Sequence, residues 1–378
     1  MPSRRWSMKL SDPGFGDWAR SILDESESKC IGDENVIDQG SESAHETESE
    51  EEVCEAENEV RDTSSSDENE PFSKRQNRQY ERKKYYGKNR FIWSKKPPAS
   101  KVRTRKHNIV SHLPGIIGPA KALGQICRPQ TAWTQLFCER ILNEIILQTN
   151  KKLAFMRERL SDDTRTDYKE LDLIEFKTFL EILMFTAILK SNNEDLQAIF
   201  ATDGTGRDIF RCTMSLKRVL VLLLSIRFDD ASDRDVRKKC DATAPIKWVF
   251  LEFMKNCTAS YSIGKYACID EMMGGFHGRC RIKMYIPSKP RKYGLKIMTL
   301  ADAKTHFLLN AHIYSGKDSV GRTPTDEENK LAKPTQAVLQ LTKPIIGSNR
   351  NITADNWFSP IALIQELLKR GLTYVGTL

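Results

Sequence analysis

The spacing of apolar residues changes from a helical to a strand-like pattern near Gly264, and this change divides the chain. Before it, apolar side chains recur at the spacing of one helical face. After it, short runs rich in β-branched and aromatic residues alternate with turn residues. The sequence therefore predicts an α-helical domain over 130–262 and a mixed α/β domain over 263–378.

Four helices are expected in the helical domain. The first covers about 132–146, where apolar residues recur from Trp133 onward. Asp172 and Glu175 have the spacing of a capping box and begin a second helix, whose apolar residues surround it almost completely and predict that it is buried. Two more helices are expected over 215–226 and 246–257.

The α/β domain is expected to contain three strands, a helix, a strand, a helix and a final strand. In chain order these cover 266–270, 295–300, 305–314, 334–341, 351–354, 359–370 and 372–376. Asp270 ends the first predicted strand, and Asp355 follows the fourth. This order, β-β-β-α-β-α-β, resembles an incomplete ribonuclease-H-like fold, in which acids distant in sequence lie side by side.

Asp270 and Asp355 are candidate metal ligands because carboxylates are the hard ligands that Mg²⁺ prefers. Phosphoryl transfer with two divalent cations needs such ligands at rigid positions, which strand ends supply. Taken singly, an aspartate is more often a turn former or a helix cap. The two positions together favour a metal site only modestly.

Two long motifs carry a family resemblance. The segment CIDEMMGGFHGRCRIKMYIPSKPRKYGLKIMTLADAKTHFLLNAHIYSGK and the later TADNWFSPIALIQELLKRGLTYVGTL resemble the core of piggyBac-type DDD transposases. A looser likeness, including the run LLSIRFDD, extends the resemblance to about 130–378. It implies a ribonuclease-H-like core that cuts and joins DNA with Mg²⁺ or Mn²⁺, with Asp270 and Asp355 as the first two catalytic acids.

The resemblance also implies partners and a location. Transposon-end DNA is the expected partner, with a possible homodimer and a nuclear location. The family's third acid and its cysteine-rich zinc segment would lie beyond Leu378, so we expect no zinc site and an inactive DNA-binding protein. An incomplete transposon copy and a domesticated protein both fit. A nuclear scaffold that recruits partners through an acidic tail is the alternative.

A dense cationic stretch lies between the first two predicted strands. Because it lies beside the candidate acid site, with Tyr285 and Tyr293 interleaved, we predict contact with the DNA backbone, while a solubilising surface loop is the alternative. Its basic residues are Arg279, Arg281, Lys283, Lys289, Arg291, Lys292 and Lys296. Glu271 is interpreted as a loop cap more readily than as support for Asp270. Asp302 is interpreted as a turn residue.

The N-terminal part has two opposite charge runs. Residues 24–70 hold 19 Asp and Glu residues against Lys29 and Arg61, so 1–73 is predicted to be a disordered acidic tail. Residues 74–129 begin with a basic run that contains interleaved aromatic residues. This segment is predicted to be a linker that carries a nuclear-import signal or contacts DNA, and a simple solvated linker is equally compatible.

Other features exclude several classes of protein. The 9 cysteines contain no CxxC pair and are odd in number, which favours a reducing compartment over a disulfide framework. The N-terminus has no apolar signal segment, and the longest apolar runs are too short or too charged to cross a bilayer. We therefore expect a soluble protein without a small-molecule substrate.

Overall fold

The structure is a computed structural model that describes the chain in several stretches. These are residues 16–17, 19–20, 84–86, 92–94, 105–124, 127–159, 165–191, 194–276, 278, 280–316, 331–358 and 361–376. Most of the predicted acidic tail and much of the predicted basic linker lie outside them. The chain divides into two units, one formed by Glu48–Lys106 and the other by Met1–Thr47 with His107–Leu378.

The smaller unit contains an antiparallel pair of short strands. Strand β1 (Lys84–Tyr86) pairs with β2 (Ile92–Ser94), and Tyr85 lies opposite Trp93. The side chains of Tyr85 and Tyr86 are exposed. The sequence predicted a linker here, so the pairing shows local structure that charge and composition did not indicate.

The larger unit is mainly helical up to residue 260. Strand β3 (Gly115–Ile116) comes first and pairs with a strand that follows the helices. The helices are α1 (Gly118–Lys121), α2 (Pro129–Leu136), α3 (Glu139–Glu158), α4 (Leu173–Ile188), α5 (Leu196–Ile199), α6 (Asp208–Thr213), α7 (Leu216–Ser225), α8 (Arg234–Cys240) and α9 (Ala244–Ser260). Among the described residues, no helix has the length and hydropathy needed to cross a membrane.

A few residues of the N-terminal segment contact this helical core. Gly16, Asp17, Ala19 and Arg20 are helical, and the Ala19 side chain is completely buried within the core. At these residues the structure differs from the predicted disordered tail. A short apolar side chain can pack into the core even when the acidic sequence that follows it cannot form one.

The first predicted helix is two helices. Phe137 leaves the helical conformation with φ −96° and ψ 71°, and Cys138 is extended, so α2 ends before α3 begins. The Phe137 ring stacks on Trp133 with centroids 5.3 Å apart and contacts Phe253 of α9 at 4.8 Å. The apolar spacing continues across the break because residues on both sides of it pack into one core.

Helix α4 begins as predicted but is not buried on all sides. Asp172 caps it, since its Oδ1 accepts a hydrogen bond from the N–H of Glu175 at 2.8 Å. Phe176 and Phe179 are buried, whereas Ile174 is 79% exposed and Ile188 is 70% exposed. The prediction of a fully buried helix was wrong because α4 packs on its neighbours along one face only.

In a complete capping box the Glu175 side chain would also accept a hydrogen bond from the N–H of Asp172. Here the Glu175 carboxylate forms a buried ion pair instead. Its two carboxylate oxygens accept hydrogen bonds from Nε and Nη2 of Arg218, each at 2.8 Å. The Arg218 Nη1 atom donates to the carbonyl oxygens of Asp167 and Lys169 at 2.7 and 3.0 Å. Arg218 is only 4% exposed, so this network joins α4, α7 and the turn that precedes α4.

Removal of this buried arginine is expected to destabilise the helical domain. Arg218→Met leaves the Glu175 carboxylate without its bidentate partner, which costs about 3–5 kcal/mol for a buried pair. Arg211→Met is the control, because the Arg211–Asp208 pair is more exposed and removing it costs less than about 1 kcal/mol. Urea unfolding measures both, and equal losses of stability would contradict the proposed importance of the Arg218 network.

The described residues of the α/β part form one mixed sheet and two α-helices. After β4 (Tyr261–Ser262), the partner of β3, come the sheet strands and their helices. In chain order these are β5 (Tyr266–Gly275), β6 (Lys283–Tyr285), β7 (Tyr293–Asp302), β8 (Leu308–Ile313), α10 (Lys333–Leu341), β9 (Asn351–Ala354), α11 (Ile361–Lys369) and β10 (Thr373–Gly376). The predicted order of strands and helices matches these elements, except that the basic loop contains the additional strand β6.

The strand order in the sheet is β10, β9, β5, β7 and β6, and β8 also pairs with β7. Strand β5 is antiparallel to β7 and parallel to β9, which is parallel to β10. Met298 of β7 lies in a core with Leu339 and Leu363, which belong to α10 and α11. Its neighbour Ile297 packs with Met254 of α9, so helices cover both faces of the sheet.

Two buried charged residues hold the chain just before β5. Asp302, at the end of β7, accepts hydrogen bonds from the N–H groups of Gly264 at 2.6 Å and Lys304 at 2.7 Å. Arg350, just before β9, donates to the carbonyl oxygens of Ile263 and Gly264 at 2.8 and 3.0 Å. Burial alone would raise the pKa of Asp302, but these backbone hydrogen bonds lower it. This agrees with a turn role for Asp302.

The close approach of β5 and β7 sets a steric limit at Gly294. A Cβ atom on Gly294 would press into the backbone carbonyl of Gly274, whereas one on Gly274 would make ordinary contacts at 3.7 Å. Gly294→Ala is therefore expected to destabilise the chain by about 1–3 kcal/mol, a typical cost of overpacking. The matched control is Gly274→Ala, and thermal unfolding measures the stability of both variants. An equal loss of stability in the two would show that the strands do not approach so closely.

Candidate active site

Asp270 lies within β5, where the pairing partners of the strand change. On one side β7 pairs with β5 as far as Gly275, while on the other side β9 pairs with it only up to Ile269. The prediction that this strand ends at Asp270 was therefore wrong, because β5 stays paired with β7 beyond Asp270. Only the pairing with β9 ends there, and Asp270 is the first residue after that paired segment.

Asp355 occupies the corresponding place on the neighbouring strand. It directly follows Ala354, which is in register with Ile269, so Asp270 and Asp355 come next on two parallel strands. Neighbouring strands are about 4.8 Å apart. Both aspartates are exposed. The parallel pairing thus brings together the two acids that the sequence singled out.

The turn after Asp355 is anchored by aromatic residues. The N–H of Phe358 donates to the carbonyl oxygen of Asp355 at 3.0 Å, and the Phe358 side chain is buried in the core beneath the sheet. Trp357 packs edge-on against Phe358 with ring centroids 4.6 Å apart. The Asp355 backbone is therefore held by β9 on one side and by this buried ring on the other.

Asp270 and Asp355 are suited to hold a divalent cation of the Mg²⁺ or Mn²⁺ type. Both are oxygen donors, and Mg²⁺ sites in proteins are often completed by water and substrate phosphates beside one or two carboxylates. Within the stretches that the structure describes, no group of 3 or more His, Cys, Asp or Glu side chains could hold a metal. Nearby, burial and then the negative charge of Asp270 raise the pKa of the Cys268 thiol.

The Glu271 carboxylate forms ion pairs with two lysines. Its Oε2 atom is 2.6 Å from Nζ of Lys296, and its Oε1 atom is 3.4 Å from Nζ of Lys289. Side chains alternate along a strand, so Glu271 points to the face opposite Asp270. Glu271 was predicted to cap a loop, whereas it lies within β5 and forms this ion pair. The signal was available, because alternation in LKIMTL places Lys296 on the buried face with Met298 and Leu300.

The cationic residues of the predicted DNA-binding stretch fall into different environments. Arg279 lies outside the described residues. Arg281, Arg291 and Lys292 are exposed, and Lys283 is half-buried in β6. Lys289 is half-buried beside Glu271, and Lys296 is 9% exposed. The exposed cations lie around the β6–β7 connection, next to the far end of β5, since a Cβ atom on Gly275 would meet the Arg291 side chain.

Two tyrosines face each other across this connection. Tyr285 of β6 is paired with Tyr293 of β7, and their ring centroids are 4.7 Å apart. The residues are 42% and 47% exposed. Exposed aromatic rings among arginines and lysines are typical of surfaces on which nucleic-acid bases stack.

Two comparisons with known proteins match most of the chain. A family model described as Transposase IS4 matches residues 128–378. A piggyBac transposase, solved by cryo-EM in a synaptic complex with hairpin DNA, is similar in structure with a TM-score of 0.64 and 32% sequence identity. The match covers 71% of this chain and 53% of the solved chain, so this chain spans about half the length of that transposase. The chain therefore belongs to the piggyBac-type transposase family.

Proposed function

We propose that this chain is a transposase-derived DNA-binding protein with a ribonuclease-H-like core. Asp270 and Asp355 are the first two acids of its metal site. The observation that carries this proposal is the parallel register of Ile269 with Ala354, which sets the two aspartates side by side. The exposed cations of the β6–β7 connection lie on the same sheet and would bind the DNA backbone.

The proposed site would hold a cation through Asp270 and Asp355. When bound, the cation would supply Lewis-acid stabilisation of a phosphate oxygen. The protein's own contribution is to hold both carboxylates on paired strands, with Asp355 further fixed by the turn to Phe358. Water and the phosphate oxygens of DNA would complete the coordination of the cation.

The DNA-binding surface is proposed at Arg281, Lys283, Arg291 and Lys292, with Tyr285 and Tyr293 between them. Arg279 belongs to the same predicted stretch. Lys289 and Lys296 contribute less to phosphate contact because the Glu271 carboxylate already balances their charge. The homodimer, the nuclear location and the limits of the domains stay predictions.

DNA binding is expected to depend steeply on salt and on the exposed cations. Arg291→Ala with Lys292→Ala removes two phosphate contacts and should reduce the slope of log K against log salt by about 2. Fluorescence anisotropy with a random-sequence duplex measures it. The control is Lys343→Ala with Lys369→Ala, two exposed lysines elsewhere in the α/β part. A chain that binds no duplex at low salt would contradict the proposal and favour the scaffold alternative.

The two aspartates are expected to bind one and the same ion. Asp270→Asn and Asp355→Asn should each abolish the Mn²⁺ binding seen with the unchanged chain, measured as free Mn²⁺ by electron paramagnetic resonance. Asp208→Asn removes an exposed carboxylate from α6 and serves as control. Binding that survives in either site variant would exclude a shared site. Measurable strand cleavage with Mg²⁺ that is equal in the unchanged chain and in Asp270→Ala would exclude catalysis by Asp270.

A further inference from the structure

The ammonium group of Lys296 lies between the chain segments that carry the two aspartates. It is 2.6 Å from Oε2 of Glu271, and it lies 4.7 Å from the centre of the Trp357 ring. The Tyr314 ring is on a further side, with its centre at 5.9 Å. Since Lys296 is 9% exposed, water competes little for this charge. One cation therefore contacts a carboxylate of β5 and an aromatic ring of the turn that follows β9.

Glu271 and Trp357 are each close in sequence to one of the candidate metal ligands. Glu271 directly follows Asp270 in β5, and its N–H donates to Oδ1 of Asp270 at 2.7 Å. Trp357 belongs to the turn that starts from Asp355, and the same turn is anchored by Phe358. Any movement of β5 against this turn would therefore pull Glu271 or Trp357 away from the ammonium group.

We propose that Lys296 is a positioning residue that holds Asp270 and Asp355 at a constant separation through its contacts with Glu271 and Trp357. This inference rests on the proposed function, because it assumes that both aspartates bind one cation. Ammonium groups are attracted to the face of an indole ring, and the attraction increases where water is excluded. Lys296 also neutralises Glu271, so the Glu271 charge does not compete with the two aspartates for the metal.

The position of Lys296 in the sheet supports this role over phosphate binding. The side chain emerges from β7 on the buried face, with Met298 and Leu300, rather than in the exposed β6–β7 connection. A DNA phosphate would have to displace the Glu271 carboxylate, which is itself only partly accessible. Positioning groups behind metal ligands typically change metal affinity 10–100-fold when they are removed.

The test compares Mn²⁺ affinity in the full chain and three variants. Lys296→Met removes the charge and keeps the length, and it should weaken binding about 10–100-fold. Lys296→Arg keeps a cation that can pair with Glu271 and stack on Trp357, so it should restore most of the affinity. Lys304→Met removes an exposed lysine from the β7–β8 turn and should have no effect. If Lys296 only stabilised the fold, the Mn²⁺ affinity would not be lost in Lys296→Met and restored in Lys296→Arg.

A second readout does not depend on metal. The fluorescence of Trp357, obtained by subtracting the spectrum of Trp357→Phe, should change in Lys296→Met and not in Lys304→Met. An unchanged Trp357 spectrum would overturn the inference whether or not Mn²⁺ binds. Absence of Mn²⁺ binding in the unchanged chain would instead overturn the proposed metal site, and the positioning role with it.

One more variant guards against loss of folding. Trp357→Leu alters a half-exposed side chain, and it should also weaken Mn²⁺ binding because it removes one contact of Lys296. Circular dichroism and thermal unfolding confirm that each variant is folded. Folded Lys296→Met and Trp357→Leu proteins that bind Mn²⁺ like Lys304→Met would show that Lys296 does not position the aspartates.

Discussion

The parallel pairing of β5 with β9 is the constraint on which the candidate site depends. These strands are far apart in sequence, yet the register Ile269 to Ala354 makes Asp270 and Asp355 neighbours. The pairing is stabilised from below by the core that contains Ile269, Ala354 and Phe358. A slip by one residue would turn these apolar side chains towards the other face, so the core that stabilises the sheet also sets the position of the acids.

Charged residues stabilise β5 at two places along its length. Asp302 and Arg350 hold the backbone just before β5, at the end distant from the aspartates. Lys296 and Glu271 form an ion pair near the acidic end, on the face opposite Asp270. Buried charges are costly unless they are paired. Paired charges therefore hold β5 both at its start and in its middle.

Sequence periodicity predicted the order of the elements well, because strands and helices of the α/β part have clear apolar patterns and turn residues. Strand β9 was predicted with its observed limits, 351–354. Periodicity did not predict where other elements end, because the ends depend on the strands and side chains that pack against them. Strand β5 extends past Asp270 since β7 pairs with it, and α2 ends at Leu136 because Phe137 adopts a non-helical conformation. The exposed side of α4 was missed for the same reason.

Asp270 and Asp355 were predicted from motifs and strand ends, whereas the contacts of Lys296 with Glu271 and Trp357 were not. Lys296 was interpreted as a DNA contact because its charge belongs to a basic run in the sequence. Only the strand alternation and the observed pairing separate it from Arg291 and Lys292, which are exposed. One-dimensional charge runs combine residues from both faces of a strand, so they overstate the size of a binding surface.

The central claim is that Asp270 and Asp355 together form one cation site. Fe²⁺ in place of Mg²⁺, with ascorbate and peroxide, generates radicals that cut the backbone beside the bound ion. We predict cleavage at two places in the same chain, in β5 near Asp270 and in the turn after Asp355, and loss of both cuts with excess Mg²⁺. Cleavage at one of these places alone, or at sites elsewhere in the chain, would contradict the account.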